Sequence, residues 1–265
     1  MPGPEARLLI LGGTAEAAEL ARRCVAEHGA RLDVISSLAG ATEAPVHPPG
    51  RVRIGGFGGV DGLRRFLAEQ SIAAVIDATH PFAARMQANA AAACIQAGVP
   101  RCRLLRPPWQ RRPDDHWIEV DDLDAAATAL GSLGRRVFLA LGARDLAAFA
   151  RLDDRWFLVR AVSAPDPPPP LVSCRLVQAR GPFALADEHR LLVEHRIDAL
   201  VSRQSGGDGA RAKIDAAREL GLPVVMIRRP APPVPPIAAS VDEALEWLRG
   251  ALSKGLAQAR LPGAV

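Results

Sequence analysis

The sequence predicts an α/β protein in which buried parallel strands alternate with helices. In three stretches a largely apolar run ends in a glycine or polar turn that precedes helix-forming residues. They are Leu8–Leu11 before Gly12–Gly13, Ala73–Asp77 before Ala78–Phe82, and Arg136–Leu141 before Gly142–Asp145. Continuous apolar runs without alternation are typical of strands covered by helices on both faces.

The chain is long enough for two domains of ordinary size. Its 265 residues are 49% hydrophobic, which supplies the apolar side chains that real cores need. The stretch Arg106–Asp115 (RPPWQRRPDD) is proline-rich and charged, as a crossing between domains would be. We therefore expect an N-terminal domain over residues 1–112 and a C-terminal α/β domain over residues 113–265.

Composition argues against several classes of protein. No apolar run reaches the length of a membrane span, and the opening MPGPEAR does not resemble a signal peptide. The four cysteines are scattered without a C-x-x-C motif, so we expect reduced thiols, a cytoplasmic location and no metal site. The net charge of +4 comes from dispersed arginines without an aromatic platform, so neither nucleic acid nor a membrane is an expected partner.

The turn Gly12–Gly13–Thr14 follows the first buried strand and precedes a predicted helix over Ala15–Glu27. Such a turn exposes backbone N–H groups beside the positive end of the helix dipole, which suits a phosphate. The match to the G-x-G-x-x-G dinucleotide motif is partial, because Thr14 stands at the second glycine and Ala17 at the third. A plain tight turn is the alternative interpretation.

Ser36 and Ser37 end the second predicted strand, Arg31–Ser36, at the place where an NAD-binding fold usually carries an acid. Hydroxyl groups without a negative charge would accept a 2′-phosphate, so this pair favours NADP over NAD. An ordinary strand end is the alternative.

Thr79 and His80 follow the fourth predicted strand, Ala73–Asp77, at the sheet edge where open α/β proteins bind ligands. Pro81 would fit the first turn of the next helix, because it needs no N–H group there. For His80 the alternative to a functional role is a structural histidine with a local hydrogen bond.

Two polar turns in the second half are further candidates. Arg144 lies in the turn after Arg136–Leu141 and could bind an anion or be a surface arginine. The sequence SRQSGG joins a short strand, Ala199–Val201, to a helix that carries Lys213. Its hydroxyls, amide and backbone donors could form a cradle for a carboxylate or phosphate, or a capped loop. The candidate residues of this turn are Ser202, Arg203, Gln204, Ser205 and Gly206.

Several of these segments together resemble one family, the precorrin-6A reductases of cobalamin biosynthesis. The segments are ILGGT at 10–14, DATHPFA at 77–83, RCRLLRP at 101–107, and SRQSGG at 202–207 with Lys213. DATHPFA is the most specific of them. The chain departs from the family at Arg203–Gln204, where lysine–asparagine is common, but the change keeps a cation and an amide.

The resemblance implies two Rossmann-like domains with mainly parallel sheets and a ligand cleft between them. It also implies NADPH-dependent reduction of the tetrapyrrole precorrin-6A to precorrin-6B, with a hydride added at C19 and a proton at C18. Neighbouring enzymes of the cobalamin pathway are then candidate partners. We assign NADPH to the first domain and the carboxylates of the macrocycle to the second.

The site residues follow from that assignment. His80 is the candidate proton donor, with bound water as the alternative. The cofactor residues are Gly12, Gly13, Thr14, Ser36, Ser37 and Thr79, and the substrate residues are Arg144, Ser202, Arg203, Gln204, Ser205, Gly206 and Lys213.

Three rival functions can be compared with this one. A short-chain dehydrogenase would need a Tyr-x-x-x-Lys pair, and the chain has no tyrosine. An S-adenosylmethionine-dependent methyltransferase could use the Gly12–Thr14 turn, but it would leave the SRQSGG turn unexplained. A non-catalytic NADP-binding module would bind NADPH without oxidising it in the presence of a precorrin.

Overall fold

A computed structural model describes residues 3–40, 47–162, 164–179, 181–230 and 234–259. The chain divides into two compact units: unit 1 is Met1–Arg106 with Ala231–Val265, and unit 2 is Pro107–Pro230. Each unit contains one six-stranded sheet in which every described strand pair is parallel. The α/β prediction with two Rossmann-like domains is confirmed.

The sheet of unit 1 has the order β12-β5-β4-β1-β2-β3. Its strands are β1 (Ala6–Leu11), β2 (Leu32–Leu38), β3 (Arg51–Ile54), β4 (Ala74–Asp77), β5 (Arg101–Leu104) and β12 (Ile237–Ala238). Its helices are α1 (Ala15–His28), α2 (Gly59–Glu69), α3 (Ala84–Ala97) and α7 (Val241–Ala259). One face of the sheet packs against α1 and α7 and the other against α2 and α3.

The sheet of unit 2 has the order β6-β11-β10-β7-β8-β9. Its strands are β6 (Trp117–Val120), β7 (Arg136–Ala140), β8 (Trp156–Ala161), β9 (Cys174–Gln178), β10 (Ala199–Arg203) and β11 (Val224–Ile227). Its α-helices are α4 (Leu123–Ala129), α5 (Leu185–Glu194) and α6 (Ala212–Glu219), and a 3-10 helix covers Ala143–Phe149.

Both sheets are doubly wound: the strands that follow β1 or β7 are added on one side of it, and the strands from β4 or β10 onward lie on the other side, so the strand order reverses between β1 and β4 and between β7 and β10. Ligands of open α/β sheets bind beyond the carboxyl ends of the strands at such reversals. The turns after these four strands contain Gly12–Thr14, Thr79–His80, Arg144 and Gln204–Gly206. The sheet order therefore brings candidate residues together in pairs, one pair of turns in each unit.

The structure divides the chain differently from the predicted 1–112 and 113–265. Residues from 231 onward return to unit 1, where β12 pairs with β5 and α7 contributes Ala244, Leu245 and Leu248 to the core against α1. The first crossing falls after Arg106, six residues before the predicted boundary.

Local boundaries also differ from the sequence prediction. The strand β2 continues to Leu38, so Ser36 and Ser37 lie inside it. Pro81 lies in a turn and not in a helix, since α3 begins at Ala84. In the described residues, no helix has both the length and the apolar character of a membrane span, and no cluster of His, Cys, Asp or Glu could hold a metal ion.

Candidate active site

The Gly12–Thr14 turn connects β1 to α1 at the reversal point of unit 1. Gly13 has φ +107°, and an added Cβ would meet nothing within 4 Å, so the turn needs glycine for its backbone and faces open space. Thr14 is the N-cap of α1, and its Oγ1 accepts from the N–H of Ala17 at 3.1 Å. The same hydroxyl donates to the carbonyl of Ala78 at 2.8 Å, which joins this turn to the one after β4.

The turn keeps a row of backbone donors available. The N–H of Gly12 donates to the carbonyl of Ser37 at 2.9 Å, and that of Ala17 is taken by Thr14. None of the hydrogen bonds of the described residues uses the N–H groups of residues 13–16. These donors lie at the positive end of a 14-residue helix, an arrangement that fits the phosphates of a dinucleotide.

The turn after β4 is held by a buried ion pair. Arg103 Nη1 lies 2.8 Å from Asp77 Oδ1, and both side chains are fully buried. Arg103 Nη2 also donates to the carbonyl of Thr79 at 2.8 Å, while the Thr79 hydroxyl donates to Asp77 Oδ1 at 2.7 Å. Burial lowers the pKa of the Arg103 guanidinium, and Asp77 opposes that shift. Thr79 is therefore fixed by this ion pair as well as placed beside the Gly12–Thr14 turn.

His80 is oriented by the turn in which it lies. Its Nδ1 accepts from the N–H of Phe82 at 3.3 Å, and its ring centroid lies 5.8 Å from that of Phe82. Because Nδ1 acts as an acceptor, the neutral ring carries its proton on Nε2. The side chain of Gln87 donates to the backbone carbonyls of His80 and Pro81 at 3.1 Å, which fixes the backbone of the turn.

Ser36 and Ser37 lie within β2, just before its last residue. Ser36 and Ser37 are only 1% and 6% exposed. Arg53 on β3, which sequence reasoning missed, donates from Nη1 to Ser37 Oγ at 3.3 Å and stacks on the Phe57 ring at 3.9 Å. Burial lowers the pKa of the Arg53 guanidinium. The sequence did contain a signal for Arg53: it lies in the predicted strand that follows the serine pair along the chain, just before the glycine-rich residues 55–59.

An ion pair and an open pocket lie next to the Gly12–Thr14 turn. The Arg106 Nη1 atom lies 2.8 Å from Glu16 Oε2. A small pocket that opens to solvent is lined by Thr14, Glu16, Ala78, Thr79, Pro81, Leu104, Leu105 and Arg106. The pocket combines the residues after β1 and β4 with those after β5, all within unit 1.

In unit 2 the two turns at the reversal point are joined by an ion pair. Arg203 Nη2 lies 2.8 Å from Asp145 Oδ1, and the side chains are 27% and 15% exposed. Arg144, beside Asp145, is exposed. The structure thus brings together Arg203 and the turn of Arg144, and it gives Arg203 a carboxylate partner within the protein.

Residues of the SRQSGG turn form hydrogen bonds to residues 107–109, the first residues of unit 2. The Gln204 side chain donates to the carbonyl of Trp109 and accepts from its N–H, both at 3.0 Å. The Trp109 indole donates to the carbonyl of Gly207 at 2.6 Å. Gly206 has φ +66°, and a Cβ there would overlap the Pro107 carbonyl. The turn predicted to bind a ligand therefore also fixes residues 107–109 in place, and we call these contacts the clamp on residues 107–109.

The remaining substrate candidates are buried. Ser202 and Ser205 are 1% and 9% exposed, and the Ser202 hydroxyl donates to the carbonyl of Arg203 at 3.3 Å. Lys213 is 6% exposed; its Nζ donates to the carbonyl of Ala210 at 2.7 Å and lies 5.2 Å from the centre of the Trp109 ring. Lys213 thus contacts Ala210 and Trp109 within unit 2, and its role in binding a substrate remains a prediction.

Two doubly wound parallel sheets, one with a glycine turn at its reversal point, define a protein of two Rossmann-like domains. The model of the family described as precorrin-6x reductase CbiJ/CobK matches residues 7–249. The chain belongs to this family, and it is accordingly an oxidoreductase of cobalamin biosynthesis.

Individual relatives agree with the family. The precorrin-6A reductase of Rhodococcus erythropolis is 49% identical over 245 residues, which cover 91% of this chain and 97% of the relative. That of Rhodobacter capsulatus is 46% identical over 252 residues, with coverage of 94% and 99%. A solved structure of a CobK precorrin-6A reductase superposes with a TM-score of 0.88 at 46% identity, covering 93% of this chain and 97% of that one.

Proposed function

We propose that the protein reduces precorrin-6A to precorrin-6B with NADPH, adding a hydride at C19 and a proton at C18. The observation that carries the cofactor assignment is the row of available N–H groups over residues 13–16 at the start of α1. The substrate assignment is supported by the relatives of 46–49% identity, which are precorrin-6A reductases.

The two units offer different sites for an anion, and this difference supports placing NADPH in unit 1. The helix after β1 has 14 residues, whereas the corresponding element after β7 is a 3-10 helix of seven residues. A longer α-helix aligns more peptide dipoles toward a phosphate, and an α-helix leaves one more N–H group unpaired at its start than a 3-10 helix does. Gly12, Gly13 and Thr14 would hold the diphosphate, and Arg53 beside Ser37 and Ser36 would meet the 2′-phosphate.

When bound, NADPH supplies the hydride. The task of the chain is to position the reacting groups, exclude water and deliver a proton. Thr79, fixed by Asp77 and Arg103, would shape the floor of the pocket. His80 would act as the general acid in its imidazolium form, in which Nδ1 also carries a proton and no longer accepts from the N–H of Phe82; bound water is the alternative donor.

In unit 2 we assign the carboxylates of the macrocycle to the exposed Arg144 and the half-buried Arg203. Ser202, Gln204, Ser205, Gly206 and Lys213 would act by shaping the turn that carries Arg203. The four cysteines are free thiols, which supports a reducing compartment such as the cytoplasm. Neighbouring enzymes of the cobalamin pathway remain the proposed partners.

The decisive experiment tests the cofactor and the reaction together. We expect Gly13→Val to abolish NADPH binding in a titration, because the side chain would occupy the open space before the N–H groups. Gly29→Val is the matched control, since Gly29 lies at the other end of α1 with φ +54° and open space. Unchanged NADPH affinity in a folded Gly13→Val protein would contradict the proposed site.

The same preparation separates the rival functions. Wild-type protein should oxidise NADPH only when precorrin-6A is present, and S-adenosylmethionine should not raise its melting temperature. Binding of NADPH without turnover of precorrin-6A would favour the non-catalytic module. Protection by S-adenosylmethionine in place of NADPH would favour the methyltransferase.

A further inference from the structure

A carboxylate stands in the first turn of the helix to which we assign the diphosphate. Glu16 is the second residue of α1. The positive end of a helix dipole attracts an acidic side chain there, and for the same reason this side chain competes with any anion that binds the helix end. An unneutralised Glu16 would also repel the negative charges of a diphosphate.

The structure places a cation directly on that carboxylate. Arg106 Nη1 lies 2.8 Å from Glu16 Oε2, and the two side chains are only 17% and 27% exposed. Partial burial reduces screening by water and salt. The net charge of the Glu16–Arg106 pair therefore affects the binding of an anion at the start of α1 more than it would on an open surface. Both residues line the open pocket next to Thr14 and Thr79.

We propose that Arg106 is a positioning residue that neutralises Glu16 and thereby allows the N-terminus of α1 to accept the diphosphate of the cofactor. The inference rests on the proposed function, because it takes the cofactor to bind at the Gly12–Thr14 turn. It goes beyond the proposed function because it assigns an electrostatic role in cofactor binding to Arg106, which lies in the loop after β5. A purely structural tie between this loop and α1 is the competing account.

The two accounts differ in what happens when the carboxylate is removed. We expect Arg106→Ala to raise the Kd for NADPH about ten- to a hundredfold, the range of one lost charge-assisted interaction. Glu16→Gln added to Arg106→Ala should bring the Kd back to within about threefold of wild type, because the repelling charge is gone. Glu16→Gln alone should lower the Kd, since the negative charge that opposes the diphosphate is removed while the positive charge of Arg106 remains. A structural tie predicts weaker binding in all three variants.

Salt provides a second readout that a structural role would not change. The penalty of Arg106→Ala should shrink as ionic strength rises from about 0.05 M to about 0.5 M, because the Debye length falls severalfold over that range. Arg22→Ala is the matched control. It uncovers Glu19 on the same helix, in a pair that is 61% and 42% exposed, about 4.5 Å further along the axis. This variant should leave the Kd unchanged at every salt concentration.

The proposal is overturned if Arg106→Ala leaves the Kd unchanged, if the double variant binds as weakly as Arg106→Ala, or if Glu16→Gln alone weakens binding. Failure of the proposed function has a different pattern: Gly13→Val would then also bind NADPH normally. Normal binding by Arg106→Ala together with lost binding by Gly13→Val would reject only the role of Arg106. The Glu16→Gln result stands by itself if Arg106→Ala does not fold.

Discussion

Gly206 combines a left-handed backbone with a position that has no room for a side chain. Its φ is +66°, and a Cβ would overlap the Pro107 carbonyl and Arg229 Nη2. Gly221 has nearly the same φ, +64°, but open space around its Cβ position. We expect Gly221→Ala to cost about 1–2 kcal/mol of unfolding free energy from backbone strain alone. Gly206→Ala should cost about 1–3 kcal/mol more, because of the added overlap.

Chemical denaturation of the two glycine variants measures this difference. Equal losses of unfolding free energy would mean that the SRQSGG turn relaxes away from residues 107–109, and the clamp described above would then be weak.

Arg53 is the residue that we expect to discriminate between the two nicotinamide cofactors. A charge-assisted hydrogen bond to the 2′-phosphate is worth about 1.5–3 kcal/mol, so Arg53→Ala should weaken NADPH about ten- to a hundredfold and leave NADH nearly unchanged. Arg51→Ala, on the same strand but paired with Asp33, is the control and should affect neither cofactor. Paired fluorescence titrations provide the measurement, and an equal loss for both cofactors would assign Arg53 a structural role. Ser37→Asp is a poorer test, because its carboxylate would pair with Arg53.

The helix α7 is the element that closes unit 1. Leu245 is 1% exposed and lies in the core with α1, whereas Glu246 on the same helix is exposed. We expect Leu245→Ala to cost about 2–5 kcal/mol and Glu246→Ala less than about 0.5 kcal/mol. Hydrogen exchange in β1 and β5 should accelerate in the first variant only. If exchange in these strands is unchanged, α7 does not contribute to the stability of unit 1.

The sequence largely predicted which segments are strands and helices, but it did not predict which strands pair with each other. The apolar runs of β1, β4 and β7 indicated buried strands, because their side chains have no polar alternation. The two-residue strand β12 lies among prolines and has no periodic pattern, so nothing in the sequence indicated that it would pair with β5. Polar residues also concealed the true end of β2, since Ser36 and Ser37 read as a strand terminus while the ladder continues to Leu38.

The whole molecule should lose stability at alkaline pH through its buried thiols. Burial raises the pKa of Cys24 to about 12 and those of Cys94 and Cys102 to about 11, from an ordinary value of 9.0. Below pH 9 these thiols are protonated in both the folded and unfolded chain. Above it the unfolded chain releases protons first, so stability falls as pH rises, by up to about 1.4 kcal/mol per thiol per pH unit.

Denaturation between about pH 8 and pH 11 measures that slope. Because the chain contains no tyrosine, few other side chains titrate in this range. Cys24→Ala should make the slope shallower, because the thiol with the most strongly raised pKa is removed. A slope that is the same in wild type and Cys24→Ala would mean that the Cys24 thiol does not contribute.

At the scale of the whole chain, the position of the candidate site was predictable because parallel sheets gather their turns at one edge. Gly12–Thr14 and Thr79 do lie together, joined by the Thr14–Ala78 hydrogen bond. The partners of the charged residues were not predictable, since Arg103 with Asp77, Arg106 with Glu16 and Arg203 with Asp145 are distant in sequence. Residue type indicated which groups could bind an anion, but only the fold shows which already have a carboxylate beside them.

The late return of the chain to unit 1 has a consequence for biosynthesis on the ribosome. Strand β12 and helix α7 are translated only after all of unit 2. At about 5–20 residues per second, the intervening unit takes roughly 6–25 s to synthesise. Throughout that interval β5 is an unpaired sheet edge on the nascent chain, and the core of unit 1 lacks Ala244, Leu245 and Leu248 of α7. The first unit to emerge from the ribosome is thus the last to be completed.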